Sequence, residues 1–178
     1  VPVWATLIAL LDQGEPVVGV VSAPALGRRW WAARGSGAYT GKSLAQATRL
    51  QVSEVTQLDL LSVAYTDIAS WEQAGSSVPN LTPRLLHLLR SASRSRAYGS
   101  FWSACLLAEG AVDTVVDSAL SFFEVAALLS IIREAGGVAS TLEGNLPEHA
   151  GASETVSLVA SNTAAVQEQV LQILNMEA

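Results

Sequence analysis

The stretch "RAYGSFWSACLLAEGAVDTVVDSALSFFEVAALLSIIREAGG", residues 96–137, decides the fold. It holds two apolar runs of helical length with a short β-rich run between them. "GSFWSACLLAEG" opens at Ser100 behind a glycine and closes at Gly110, which predicts a helix. "AVDTVVD", 111–117, predicts a strand from its Val and Thr content. Ser121–Ala135 predicts a second helix, stopped by Gly136 and Gly137. "SRAY", 95–98, predicts a short strand in front of all three. Strand, helix, strand, helix in succession means helices layered against a sheet.

Outward from that centre the pattern divides. "VPVWATLIALLDQGEPVVGVVSAP", from Val1, predicts two strands joined at "DQGEP", with Gly14 in the turn and Pro16 ending the pairing. A third strand is expected over Arg29–Arg34, followed by a glycine-punctuated turn in "GSGAYTG". These apolar runs lack strict alternation, so an antiparallel sheet covered on much of both faces is expected. "RLQVSEV" predicts a short strand and "DLLSVAY", 59–65, a buried one. "TDIASWEQAG" predicts a short helix. "LTPRLLHLLRSAS" predicts another, with Thr82 as N-cap and Pro83 at the first helical position. "VSLVAS" predicts a strand, and "NTAAVQEQVLQIL" a closing amphipathic helix capped by Asn162. The polar loop 143–155 is expected to be the most mobile surface. The fold class is therefore α/β, of the α+β layered kind, as one domain over 1–178.

Composition narrows the function classes. Half the residues are hydrophobic and 15% are charged, which excludes a disordered chain. Ten basic against sixteen acidic residues give a net charge of −6, which argues against nucleic acid as a partner. The short arginine clusters, Arg28/Arg29 and Arg90/Arg94/Arg96, read as solvated surface. No apolar run has the roughly 18 residues of a membrane span, and no leader pattern opens the chain. One cysteine, Cys105, precludes an internal disulfide, reads as a buried inert thiol, and fits a cytoplasmic setting. The chain opens at Val1 directly into a strand, as a cut domain would.

Several chemistries have no support. His87 lies in an apolar helix and His149 in a polar loop, and two histidines cannot make a three-histidine metal site. No G-x-S-x-G elbow occurs. "GSGAYTGKS" ends like a phosphate loop, but the first glycine of that pattern would fall at Ser36.

Carboxylates and one helix start remain. In "YGSFW", Gly99 and Ser100 open a helix, whose free N–H groups and positive dipole end suit an anion; the same residues serve equally as an ordinary N-cap. Asp113 and Asp117 share one face of the expected strand. Glu124 stands at the next helix start, where Ser121-x-x-Glu124 is a capping box. Grouped carboxylates also suit a hard cation such as Mg²⁺. On the residues alone, Glu124 is either a cap or a metal ligand.

Residues 96–137 resemble the C-terminal half of the inositol monophosphatase-like family, Mg²⁺-dependent and lithium-sensitive phosphomonoesterases. The family pattern there is a G-S turn, a helix ending in A-x-G, an Asp-bearing strand, and W-D-x-A-A followed by E-A-G-G. Upstream, "VPVWATLIALL" and "PVVGVVSAPALGRRWWAARGSGAYTG" resemble the middle of the same family, with its hairpins and G-x-G-A-[FY] turn. "GRRWWAA" and "AYTDIASW" are most similar to its actinobacterial histidinol-phosphate phosphatase branch. The resemblance covers nearly the whole chain.

By position, the resemblance implies that Gly99 and Ser100 contact substrate and that Asp117 hydrogen-bonds the substrate's organic part. Glu124 falls where the family has an aspartate that binds the second metal ion, and Phe123 where it has tryptophan. The family's other metal ligands, in G-x-E-E and D-P-x-D-G-T segments, occur nowhere in these residues, nor do its two N-terminal helices. The expectations follow. As part of a complete enzyme the chain hydrolyses a small phosphorylated metabolite, histidinol phosphate or an inositol or sugar phosphate, with Mg²⁺. Alone, with one matching ligand, it is inactive. Two other readings are a non-catalytic remnant or partner-binding subunit, and one half of a split enzyme. Without covering helices, "VWATLIALL" and "VVGVV" should expose an apolar face and drive homodimerisation.

Overall fold

The computed structural model describes residues 2–73, 81–147 and 155–176. The first third folds as an antiparallel meander because short turns separate its β-rich runs. Strands β1 (Thr6–Asp12) and β2 (Glu15–Ala23) are joined by Gln13-Gly14, with φ of 52° and 86°, as a type I′ hairpin turn requires. Pro16 does not end the pairing. It lies inside β2 opposite Leu11, where the register slips between Leu10 and Leu11, and a bulge tolerates the missing N–H. Strands β3 (Arg28–Ala33), β4 (Gly37–Thr40) and β5 (Thr48–Arg49) complete a sheet of order β1-β2-β3-β4-β5. Of the strand expected in "RLQVSEV", only Arg49 lies in a strand, as the end of β5. Beyond it the Val52 N–H bonds the Ala135 carbonyl at a helix end, 3.1 Å away, and not a neighbouring strand.

The remainder alternates. Strand β6 (Ser62–Tyr65) is followed by helices α1 (Ala69–Gln73) and α2 (Thr82–Ser91), then strand β7 (Arg94–Ala97) and helix α3 (Ser100–Ala108). Strand β8 (Thr114–Ser121) runs directly into helix α4 (Phe122–Glu134). Strands β9 (Val138–Ser140) and β10 (Thr155–Ser161) and helix α5 (Ala164–Asn175) close the fold. The second sheet has the order β7-β6-β8-β10-β9, with β6 parallel to both β7 and β8.

Three local expectations need correction. Thr82 is the first residue of α2 and Leu81 its cap, so Pro83 falls one place later. Thr163, not Asn162, caps α5, its hydroxyl accepting from Val166 N at 3.2 Å. Asn162 instead donates to Ser53 Oγ and the Val55 carbonyl. The strand expected over 111–117 sits later, so Asp113 precedes β8 and Asp117 is within it.

Helices α3 and α4 lie between the two sheets, and their buried side chains join Val21, Trp30 and Ala32 of the first sheet to Ala64, Val115 and Leu158 of the second. Gly19 permits the close approach of β2 to α4: a Cβ there would run into the Ala127 carbonyl. A second core, with Leu85, Leu88, Val166 and Val170, packs α2 and α5 on the far side of the second sheet. The outer face of the first sheet is open. Ile8 and Leu10 are 61% and 59% exposed, so among the described residues this sheet is covered on one face, by α3 and α4. The exposed side chains lie in the "VWATLIALL" run that the sequence marks as an apolar face.

Cys105 is buried, and burial beside Glu109 pushes its thiol up. Arg28 is not solvated surface: its guanidinium pairs with Glu109 and lies 4.8 Å from the Trp30 ring centroid. His87 is exposed on α2; His149 and residues 148–154 of the polar loop lie outside the described residues. Among the described residues, no helix is long and apolar enough to cross a membrane.

Candidate active site

Parallel strands end on the same side, and ligands of α/β sheets bind beyond their carboxyl ends. Here β6, β7 and β8 are the parallel set. The register pairs Tyr65 with Val116 and with Ala97, so Thr66 is next to Asp117 on one side and to Tyr98 on the other. Gly99 follows, with φ 86° and ψ 139°, a conformation that only glycine adopts without strain. It turns the chain so that α3 starts against the strand ends.

Gly99 has no side chain to cap α3, so the orphan N–H groups of the first turn need partners from elsewhere. Thr66 supplies one. The Ser100 N–H donates to Thr66 Oγ1 at 3.1 Å, and the Thr66 hydroxyl donates to Asp117 Oδ1. Ser100 and Asp117, which the sequence singled out separately, are thus joined by a residue it did not.

Asp117 is 2% exposed, and Oδ2 has no hydrogen-bond partner among the described residues. Its pKa is raised to about 7, first by burial and further by the negative charges of Asp67 and Glu124; hydrogen bonds from Thr66 offset part of this. A buried carboxyl with one free oxygen beside a helix start is a ready partner for a ligand's donor group.

Glu124 is half-buried at the third position of α4. Its Oε2 accepts from Ser121 N at 3.1 Å and from Ser121 Oγ at 2.9 Å, and its own N–H donates to Ser121 Oγ at 3.4 Å. The capping box is complete. Phe123, in the tryptophan position, is 57% exposed.

Asp113 has a different task. Its carboxylate accepts from Ser53 Oγ and from Ser62 N, and its carbonyl from Asn162 N. It ties the start of β8 to β6 and to the loop before it, at the end of the strand away from Ser100.

Among the described residues, no three His, Cys, Asp or Glu side chains stand close enough to hold a metal ion. Glu124 Oε2 is engaged in its cap and Asp117 Oδ1 with Thr66. These residues do not by themselves fit a Mg²⁺ site, which demands about six oxygens near 2.1 Å.

With the fold and the strand-end site in place, comparison with known proteins is decisive: the model of the inositol monophosphatase family matches residues 1–177. The chain belongs to this family. A histidinol-phosphatase of Mycobacterium tuberculosis is 46% identical over 175 residues, 98% of this chain and 63% of its own length. A histidinol-phosphatase of Streptomyces coelicolor is 48% identical over 155 residues, 85% of this chain and 56% of its own. An inositol monophosphatase structure from Zymomonas mobilis superposes with a TM-score of 0.83 at 22% identity, over 97% of this chain and 62% of that one. The chain therefore spans 56–63% of the length of these family members. The α/β layered architecture is the one its structural neighbours in the family share.

Proposed function

We propose that the chain forms the substrate-binding wall of a phosphomonoesterase that acts on histidinol phosphate or a closely related small phosphate ester. The observation that carries this reading is the Ser100–Thr66–Asp117 chain, with Asp117 Oδ2 left free beside the α3 start. The similarity to two histidinol-phosphatases supports histidinol phosphate ahead of inositol phosphate. Ionised, Asp117 Oδ2 accepts from a hydroxyl or ammonium of the substrate's organic part. Gly99 and Ser100 bring the positive end of α3 to the same place.

Hydrolysis needs more than this wall. One carboxylate, Glu124, occupies a family metal position, and it is committed to its cap. The chain alone therefore binds substrate without turning it over, and Mg²⁺ chemistry requires further carboxylates. Phosphate release from histidinol phosphate and from inositol phosphate, each with and without Mg²⁺, tests this. Binding of histidinol phosphate with no Mg²⁺-dependent release is expected; no binding, or Mg²⁺-dependent turnover by the chain alone, contradicts it.

As partner, a second copy of the chain fits the open face of the first sheet. Ile8, Val20, Trp31 and Tyr39 form one cross-strand row there, with Leu10 and Val18 beside it. Trp31 and Tyr39 stack at 6.4 Å. The cavity over this face, about 330 Å³, is lined by Val18, Val20, Trp31 and Leu44. Apolar surface of this kind favours burial against its own copy. No nucleic-acid or membrane partner is proposed.

A further inference from the structure

Thr66 falls inside the stretch "AYTDIASW" but carries no role there by sequence, yet it makes two of the hydrogen bonds that build the site. Its position follows from the parallel register, which continues β6 past Tyr65 and sets Thr66 beside Asp117. A hydroxyl has one proton to give and lone pairs to receive. The Ser100 N–H can only donate, so toward Ser100 the Thr66 oxygen is the acceptor. Its single proton is then committed to Asp117 Oδ1. While Asp117 is ionised the direction of the chain is fixed: Ser100 N–H to Thr66, and Thr66 O–H to Asp117.

This direction distinguishes the two oxygens of Asp117. In the ionised form Oδ1 accepts from an internal donor. Oδ2 has no partner among the described residues. When Asp117 is ionised, Oδ2 is the oxygen left to accept a donor from a ligand. The side chain is held in this orientation because Thr66, β-branched and stiff at χ1, keeps its hydroxyl in one place.

We propose that Thr66 is a positioning residue: its hydroxyl couples the α3 start to Asp117 and orients that carboxyl so that Oδ2 is the oxygen presented to substrate. The inference rests on the proposed substrate wall, but its first readout does not need a substrate. The charged groups whose fields reach Asp117, Asp67 and Glu124, are both acidic. They do not orient its carboxyl by attraction, which leaves Thr66, through its hydroxyl and secondarily its backbone N–H, as the orienting group.

The test compares the parent chain with Thr66→Val, Thr66→Ala and Thr66→Ser. In each, amide exchange at Ser100 and the carboxyl ¹³C titration of Asp117 are followed by NMR. Affinity for histidinol phosphate is measured by calorimetry. Thr66→Val and Thr66→Ala are expected to speed Ser100 exchange at least tenfold and to move the Asp117 titration upward. They should weaken binding about tenfold, and Thr66→Ser should restore all three. A residue that served only to hold the fold would lower the melting temperature without separating Val from Ser in affinity. Unchanged Ser100 exchange and Asp117 titration in Thr66→Val or Thr66→Ala overturn the inference, as does unchanged affinity. If the parent does not bind histidinol phosphate, the functional reading fails. Ser100 and Asp117 still decide whether Thr66 couples them.

Discussion

Thr66 and Asp117 are 51 positions apart in sequence and joined by a hydroxyl-to-carboxylate hydrogen bond across two adjacent parallel strands. That bond joins the residue after β6 to the middle of β8, beside the start of α3. It also leaves a buried carboxyl whose protonation bears on stability.

Asp117 should make the fold less stable as pH rises. Its folded pKa, about 7, lies above the 3.8 of a free aspartate. Its stabilising contribution is therefore fully present below about pH 4 and is lost as pH climbs through 7. Above that, the folded chain holds a buried charge that the unfolded chain solvates. Asp117→Asn should exceed the parent by roughly 2–4 kcal/mol at pH 8 and match it near pH 4. Urea unfolding across this range checks it, and parallel profiles for the two proteins would count against a buried, neutral Asp117.

Glu124 should behave as a cap first. Glu124→Ala removes one half of a complete capping box and should cost about 1 kcal/mol. Millimolar Mg²⁺ should leave the melting temperature of the parent chain unchanged, because a cation bound only by the folded state would raise it. A Mg²⁺-dependent rise that Glu124→Ala abolishes would show that this carboxylate leaves its cap for a metal.

Gly19 should be the least replaceable residue of the first sheet. A Cβ there meets the Ala127 backbone, which cannot swing aside as a side chain could. Gly19→Ala should cost about 3 kcal/mol. Gly27→Ala, where a Cβ meets nothing but φ is +62°, should cost about 1 kcal/mol. Equal costs at the two positions would mean that α4 does not press on β2.

The open sheet face should govern association. The parent chain is expected to self-associate in light scattering. Ile8→Lys with Leu10→Lys should yield monomer, with a stability change under about 1 kcal/mol because both side chains already face solvent. A parent chain that is monodisperse and monomeric at high concentration would contradict this.

The sequence made the helices of the centre legible because each carried its own punctuation. Ser100 to Gly110 and Ser121 to Gly136-Gly137 are bounded by a glycine turn, a capping box and a glycine stop, all local signals. Gly99, Ser100, Asp117 and Glu124 could be named for the same reason, by motif. Thr66 could not. It matters only because β6 pairs in parallel with β8, and register between distant strands leaves no local mark. Pro16 and Asn162 misled for a related reason. A bulge gave the proline a place in the ladder, and a tertiary partner, Ser53, took the asparagine that local rules assign to a cap.

The most direct test of the central claim is an NMR titration of the chain with histidinol phosphate. Shifts are expected only at the ends of β6 and β7, the second half of β8 and the helix starts behind them: Thr66 and Asp67, Gly99 to Trp102, and Asp117 to Glu124. Shifts centred on the outer face of the first sheet or on the groove beside α5, or no shifts at all, would contradict it.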